Sequence, residues 1–313
     1  QLHVTPSIGI ALIPEDGEHP SDLLKHADIA LYRAKDAGRN AIKLFKKSML
    51  EHANERLRLE NDLRQALTAG QFELHYQPQV DARSGRIIGA EALLRWEHPT
   101  LGRQSPAQFI RVLEDSGQIV AVGHWVLAEA CRACAALLHK QMVDPRRFCM
   151  AVNISARQFA QSGFVDSIFN TLTEHGIPPG MLKLEITESI VIKDMESTIA
   201  RMQRLKQGGV NFAMDDFGTG YSSLTYLKRL PVDVLKIDQS FIRDATRDPN
   251  DAQIIRAIVA MATSLKLETI AEGVEYQEQL DFLIKEGCHA YQGYLFSPPV
   301  TFDAVCELLA KHR

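Results

Sequence analysis

The sequence predicts an α/β protein, a (β/α)8 TIM-like barrel with an antiparallel first strand, preceded by a short strand–helix fragment. Three observations predict it. Strand-like and helical segments alternate from Gln71 to the C-terminus, the pattern of parallel α/β architecture. The strand-like segments number eight within about 240 residues, the length of such a barrel. The first two, "FELHYQPQV" and "IIGAEALLRW", are separated only by "DARSG", which leaves room for a hairpin but not for a crossover helix.

The opening 45 residues read differently. "VTPSIGIALIP" alternates like a strand and "DGEHP" turns. "SDLLKHADIALYRAKDAGRN" then carries Ser21 as a cap, apolar residues at helical spacing (Leu23, Leu24, Ala27, Ala30, Leu31) and Gly38 as a stop. One strand and one helix cannot bury a core, so residues 1–45 are expected to be the tail of a larger domain. The charged stretch "KKSMLEHANERLRLENDLRQALTAG" reads as a connecting helix, with residues 46–57 as linker and the second domain spanning 58–313. The remaining strands are "FCMAVNIS", "LKLEITES", "VNFAMDDFG", "VDVLKID", "LETIAEGVE" and "HAYQGYLFS", with helical stretches between them and "TFDAVCELLAKH" closing the chain.

Composition narrows the function classes. The 313 residues are 45% hydrophobic and 24% charged, ordinary for a chain that buries a core. A net charge of -4 gives no basic field for bulk nucleic acid or an anionic membrane, so an anionic substrate needs local arginines or bound metal. Five cysteines do not make a disulfide framework, and "CRAC" (Cys131, Cys134) sits in a helical stretch where i and i+3 share a face, which favours core packing over metal or redox work. Nothing resembles a signal peptide and no run of about 18 apolar residues is read as a membrane span. The expected setting is cytoplasmic, with any membrane anchor lying upstream in a parent protein.

The chemistry gathers at the strand ends: Glu91, Asn153, Glu185, Glu188, Asp215, Asp216, Lys236, Asp238, Glu272, Glu275 and Gln292. A barrel brings the C-terminal ends of its strands to one mouth. So many carboxylates in one place repel unless a cation is present, and an oxygen-rich set without His or Cys favours Mg²⁺ or Mn²⁺, with two ions suggested by the number of carboxylates. Lys236 beside metal should have a lowered pKa, making it a candidate base or water-orienting group. These residues alone leave metal-assisted hydrolysis and enolase-like chemistry both open. In "MDDFGTGYSSL" the adjacent Asp215 and Asp216 would point to opposite faces of a strand, so the strand is expected to end at about Asp215 and the chain to turn at Asp216.

The segments "YQPQV", "EALLRW", "NISARQF", "LEITES", "DDFGTGYSSL", "LKIDQSFI", "IAEGVE" and "QGYLFSPP" together resemble the EAL domain, a bacterial cyclic di-GMP phosphodiesterase. The resemblance implies Mg²⁺- or Mn²⁺-dependent hydrolysis of cyclic di-GMP to linear 5'-pGpG, or, in degenerate members, a receptor that binds without turnover. By position, Glu91, Asn153, Glu185 and Asp215 resemble the ligands of one metal, and Asp215 and Asp216 those of a second. Lys236 matches the lysine at the nucleophilic water, and Glu272 the glutamate beside metal and water. Gln77, Leu93, Arg95, Asp238 and Gln292 match substrate-side positions. Glu188 matches the glutamate that steadies the loop after the fifth strand, "DFGTGYSSL", through which the family forms homodimers. "VTPSIGIALIP" and "ADIALYRAKDAGRN" resemble the end of a GGDEF domain, an α+β diguanylate cyclase, without its signature loop.

Overall fold

The computed structural model describes residues 5–36, 38–188, 190, 194–218 and 227–312. They form two compact units, Gln1–Ala69 with Arg111–Ser116, and Gly70–Ile110 with Gly117–Arg313.

In the first unit, β1 (Ile8–Ile10) and β2 (Ile42–Leu44) pair in parallel, with α1 (Pro20–Asp36) between them in sequence. Gly9 permits this packing, because a Cβ there would come within 2.1 Å of the Ala27 carbonyl oxygen. Leu12, Leu24, Ile42 and Leu44 remain exposed, as expected of a unit too small to cover its apolar residues. Helix α2 (Lys47–Ala66) follows, with Leu59, Leu63 and Ala66 buried at helical spacing.

The second unit is a closed barrel. Its strands are β3 (Phe72–Asp81), β4 (Ile87–His98), β6 (Cys149–Asn153), β7 (Leu182–Thr187), β8 (Asn211–Phe217), β9 (Val234–Ile237), β10 (Glu268–Ala271) and β11 (Ala290–Tyr291). Strand β3 closes it by pairing antiparallel with both β4 and β11, and the other neighbours are parallel. The hairpin through "DARSG" is tied by Ser84, whose backbone N–H and hydroxyl both donate to Asp81 Oδ1 at 2.6 Å. A short strand that sequence reading did not find, β5 (Gly102–Gln104), folds back on the end of β4. The helices of this part of the chain include α3 (Pro106–Ser116), α4 (Ile119–His139), α5 (Ala156–Phe159), α6 (Phe164–His175), α7 (Met195–Gln207), α8 (Gln239–Arg243), α9 (Pro249–Leu265), α10 (Gln277–Glu286) and α11 (Phe302–Lys311).

Strands β10 and β11 are shorter than the sequence pattern suggests. After Glu272 the chain leaves the sheet at Gly273, whose φ of +67° is open to glycine at little cost. After Gln292 comes Gly293, where a Cβ would lie 2.1 Å from the Val274 carbonyl oxygen.

Helix α4 is long and apolar enough to cross a membrane by length and composition, although Gly123, His124, Glu129 and Arg132 interrupt it as an apolar run. Half of that stretch is buried, through a stripe that includes Val122, Val126, Ala130, Cys134 and Leu137. Cys131 and Cys134 lie in the buried face as free thiols, which bears out the core reading of "CRAC". Burial pushes the Cys131 thiol up to about 12, so it is an inert packing residue.

Candidate active site

Inside the barrel a layer of small and branched side chains, Ala213, Val234, Ile270 and Ala290, forms a dry plug. Period-two alternation puts the residues two further along these strands on the same inner face. They are Asp215, Lys236, Glu272 and Gln292. Parallel register adds Glu91, opposite Ala151, and Asn153, opposite Glu185. The sequence-predicted cluster is therefore assembled above an apolar floor at the mouth.

The adjacent aspartates are resolved by a β-bulge. Met214 pairs with Leu235 and Phe217 with Ile237, so Asp215 and Asp216 together face the single residue Lys236. Asp216 takes a left-handed φ of 53°. This corrects the expectation that the strand ends at Asp215: β8 runs on to Phe217, and the extra residue re-aims the second carboxylate. One carboxylate oxygen from each of Asp215, Asp216 and Glu272 lies within 4.8 Å of the other two.

Lys236 stands in the middle of the acids. Its Nζ lies 2.6 Å from Glu185 Oε2, 2.6 Å from Glu272 Oε1, 3.0 Å from Asp215 Oδ1 and 3.6 Å from Glu91 Oε2. Burial favours loss of its proton, but the four carboxylates reverse that and hold the ammonium well above the usual lysine range. The expectation of a lowered lysine pKa concerned a lysine beside bound metal; with these carboxylates alone around it, Lys236 is held as a cation and hydrogen-bond donor. Burial, together with the Glu91 charge, holds Glu185 well above the usual carboxylate range. Glu91 is also opposed by burial, yet Lys236, Gln292 and Asn153 hold it below that range. Its Oε1 accepts from Asn153 Nδ2 and its Oε2 from Gln292 Nε2, both at 2.6 Å. Burial pushes Glu272 up to about 7 against the pull of Lys236. Asp216 is raised by burial and by Asp215.

These residues fit divalent cations. Five carboxylates (Glu91, Glu185, Asp215, Asp216, Glu272) face the one ammonium of Lys236 among the described residues of the cluster, an excess of negative charge that a metal would neutralise. Glu185 Oε1 is buried without a hydrogen-bond donor to it among the described residues. An all-oxygen donor set suits Mg²⁺ or Mn²⁺.

Around this centre, Gln77, Glu91, Leu93 and Arg95 share the inner face of the β3–β4 pair. Leu93 and Arg95 are half-buried, and Arg95 donates to the Leu94 carbonyl at 2.9 Å. Asp238 caps α8 by accepting from the Ser240 N–H at 2.9 Å, a structural task beside any contact with substrate. Glu275 is not brought into the cluster: it is exposed on the loop after β10, and its backbone N–H donates to Gln279 Oε1. Glu188 follows β7 and is half-buried. Most of "FGTGYSSL", residues 219–224, lies outside the described residues. Sequence reasoning missed Gln79 and Lys183, both buried on the inner face below the cluster. The signal was present in "LKLE", where Lys183 precedes Glu185 by one strand period.

Comparison with known proteins gives the family of the chain. The EAL domain model matches residues 60–299. The chain belongs to the EAL domain family. The GGDEF diguanylate cyclase model matches residues 1–41, the expected fragment. Among curated EAL relatives, the bifunctional diguanylate cyclase/cyclic di-GMP phosphodiesterase MucR of Pseudomonas aeruginosa PAO1 is 48% identical over 310 residues, covering 99% of this chain and 45% of MucR. The cyclic di-GMP phosphodiesterase NbdA of the same strain is 42% identical over 312 residues, covering 100% of this chain and 40% of NbdA. The chain thus spans less than half the length of either relative. Among solved structures, the PaMucR phosphodiesterase–c-di-GMP complex matches with TM-score 0.76 and 47% identity, over 79% of this chain and 99% of that one. The EAL enzyme Bd1971 in its cAMP- and cyclic-di-GMP-bound form matches with TM-score 0.80 and 32% identity, over 94% and 76%.

Proposed function

We propose that the chain hydrolyses cyclic di-GMP to linear 5'-pGpG with two Mg²⁺ or Mn²⁺ ions. The observation that carries the reading is the complete acid cluster around Lys236, in a chain 48% identical to a cyclic di-GMP phosphodiesterase. Glu91, Asn153, Glu185, Asp215, Asp216 and Glu272 would hold the ions. Bound there, divalent cations supply positive charge to the transferring phosphoryl group and its attacking and leaving oxygens.

The chain's own groups do the rest. Lys236, at the centre of the cluster, donates a hydrogen bond that orients the attacking water. Glu272, with Oε1 2.6 Å from Lys236 Nζ, stands beside that water and accepts the proton it loses. The water oxygen bonds to phosphorus, the bond from phosphorus to the ribose 3'-oxygen breaks, and that oxygen takes a proton from solvent to leave as the 3'-hydroxyl of pGpG, while the proton on Glu272 returns to solvent. Arg95 supplies a guanidinium for the second phosphate, and Gln77, Leu93, Asp238 and Gln292 line the substrate side.

The same reading makes residues 1–45 a cyclase remnant, 46–57 a linker and 58–313 the phosphodiesterase part. It places the fragment in the cytoplasm and gives it a homodimer contact through the segment after β8, steadied by Glu188. The test is incubation with cyclic di-GMP and Mn²⁺ or Mg²⁺, followed by chromatography for pGpG. Binding without product would overturn hydrolysis and leave a receptor. Sedimentation of the same sample decides the homodimer.

A further inference from the structure

Behind Glu91 a chain of buried amides runs down the inner face of the barrel. Gln292 Nε2 donates to Glu91 Oε2 at 2.6 Å and to Gln77 Oε1 at 2.9 Å. Gln292 Oε1 in turn accepts from Gln79 Nε2 at 3.1 Å. Gln79 Oε1 accepts from Lys183 Nζ at 3.3 Å. None of these side chains is more than 8% exposed, and Gln79 is wholly buried. Room for the Gln79 amide comes from Gly89, its partner across β3 and β4. A Cβ at Gly89 would lie 3.3 Å from Gln79 Oε1 and 2.4 Å from the Cys149 carbonyl oxygen.

The order of donors and acceptors along this chain is not free. A lysine ammonium only donates and a carboxylate only accepts, whereas an amide does one at each end. With Lys183 at the far end, Gln79 must turn its oxygen to Lys183 and its NH2 to Gln292. Gln292 must then turn its oxygen to Gln79 and its NH2 to Glu91. If either amide turned over, two oxygens or two NH2 groups would meet in a buried space, where unmade hydrogen bonds are costly.

We infer that Lys183 and Gln79 are positioning residues for the active site, fixing the polarity of Gln292 so that its amide donor always faces Glu91. Among the described residues no hydrogen bond or ion pair joins either of them to a proposed metal ligand, and they act through Gln292. The inference rests on the phosphodiesterase reading for its consequence in turnover, but not for its geometry. Outer partners of ligating carboxylates tune metal affinity by roughly 10- to 100-fold. Loss of the fixed donor should therefore appear in metal binding as well as rate.

The test uses the whole chain with Q79E, Q79M, K183M and K183R. Q79E keeps the volume and gives Lys183 an ion-pair partner, but offers Gln292 an acceptor where it needs a donor. Q79M removes the contact without opposing it. Three readouts follow: the side-chain amide proton resonances of Gln292, Mn²⁺ affinity, and kcat against KM for cyclic di-GMP, with melting temperature reporting the fold. Q79E should shift the Gln292 amide protons, weaken Mn²⁺ about tenfold or more and lower kcat with KM within about threefold. Q79M and K183M should fall between Q79E and wild type, and K183R should restore the wild-type values. Equal losses in Q79E and Q79M that track melting temperature would reduce the pair to packing residues and overturn the inference. So would unchanged amide resonances and Mn²⁺ affinity in Q79E and K183M. If the wild type makes no pGpG, the functional reading fails alone, and the amide resonances and Mn²⁺ affinity still decide the positioning role.

Discussion

Lys236 Nζ lies 2.6 Å from Glu185 Oε2, and both side chains are sealed from solvent. The pair is charge-assisted, yet Glu185 Oε1 is buried with no hydrogen-bond donor to it among the described residues. One cation therefore holds part of a cluster that carries more negative charge than it can match. Lys236→Met keeps the volume and removes that cation. Turnover of cyclic di-GMP should fall by ~10²–10⁴-fold, the usual worth of a positioned proton or water partner. Breaking a buried pair on one side costs about 3–5 kcal/mol, so the metal-free variant should also melt well below the metal-free wild type. Mn²⁺ should recover more of that stability in the variant than in the wild type. Full activity in Lys236→Met would end its assigned role.

The bulge at Asp215–Asp216 separates backbone from charge. Asparagine tolerates the left-handed region that Asp216 occupies at φ 53°, whereas alanine does not. Asp216→Asn should keep the melting temperature near wild type and lose most turnover, because only the carboxylate is removed. Asp216→Ala should lose the same turnover and, in addition, about 1–2 kcal/mol of stability by denaturant unfolding. Equal stabilities for the two variants would show that the left-handed turn carries no strain.

The sequence made the barrel legible because its period-two strands end in polar residues at every turn of the chain. Glu91, Glu185, Asp215 and Glu272 could be placed at one mouth for that reason alone. What stayed hidden depends on register and on neighbours. A bulge is one extra residue in a ladder, visible only when Phe217 is seen opposite Ile237. The sign of the Lys236 shift turns on four carboxylates from four strands outweighing burial, and the sequence shows the lysine but not the distances. Lys183 was hidden differently: an isolated lysine in a strand reads as a solvated charge until its burial is known.

Gly293 holds Gln292 in place through a close backbone contact. A Cβ there would meet the Val274 carbonyl oxygen at 2.1 Å and its amide nitrogen at 2.3 Å. Both are backbone atoms, so the strain cannot be relieved by a rotamer change. Gly293→Ala should cost about 1–3 kcal/mol in unfolding free energy and displace Gln292 from Glu91. Activity should drop with it even when the variant is assayed far below its melting temperature. Wild-type stability in this variant would mean that the loop after β11 moves freely.

Metal removal tests the charge argument directly. Glu91, Glu185, Asp215, Asp216 and Glu272 are held together against their mutual repulsion, with Lys236 as their cation among the described residues of the cluster. Exhaustive chelation should abolish pGpG formation and lower the melting temperature, and Mg²⁺ or Mn²⁺ should restore both. A ligand that binds only the folded state at 100 times its Kd adds about 2.7 kcal/mol, enough to shift the transition by several degrees. Monovalent salt at matched ionic strength should not reproduce the shift, because screening acts weakly on buried charges. Glu185→Gln removes one buried carboxylate charge and should therefore weaken Mn²⁺ binding. Hydrolysis that survived chelation, or a Mn²⁺ affinity unmoved by Glu185→Gln, would remove the ions from this site.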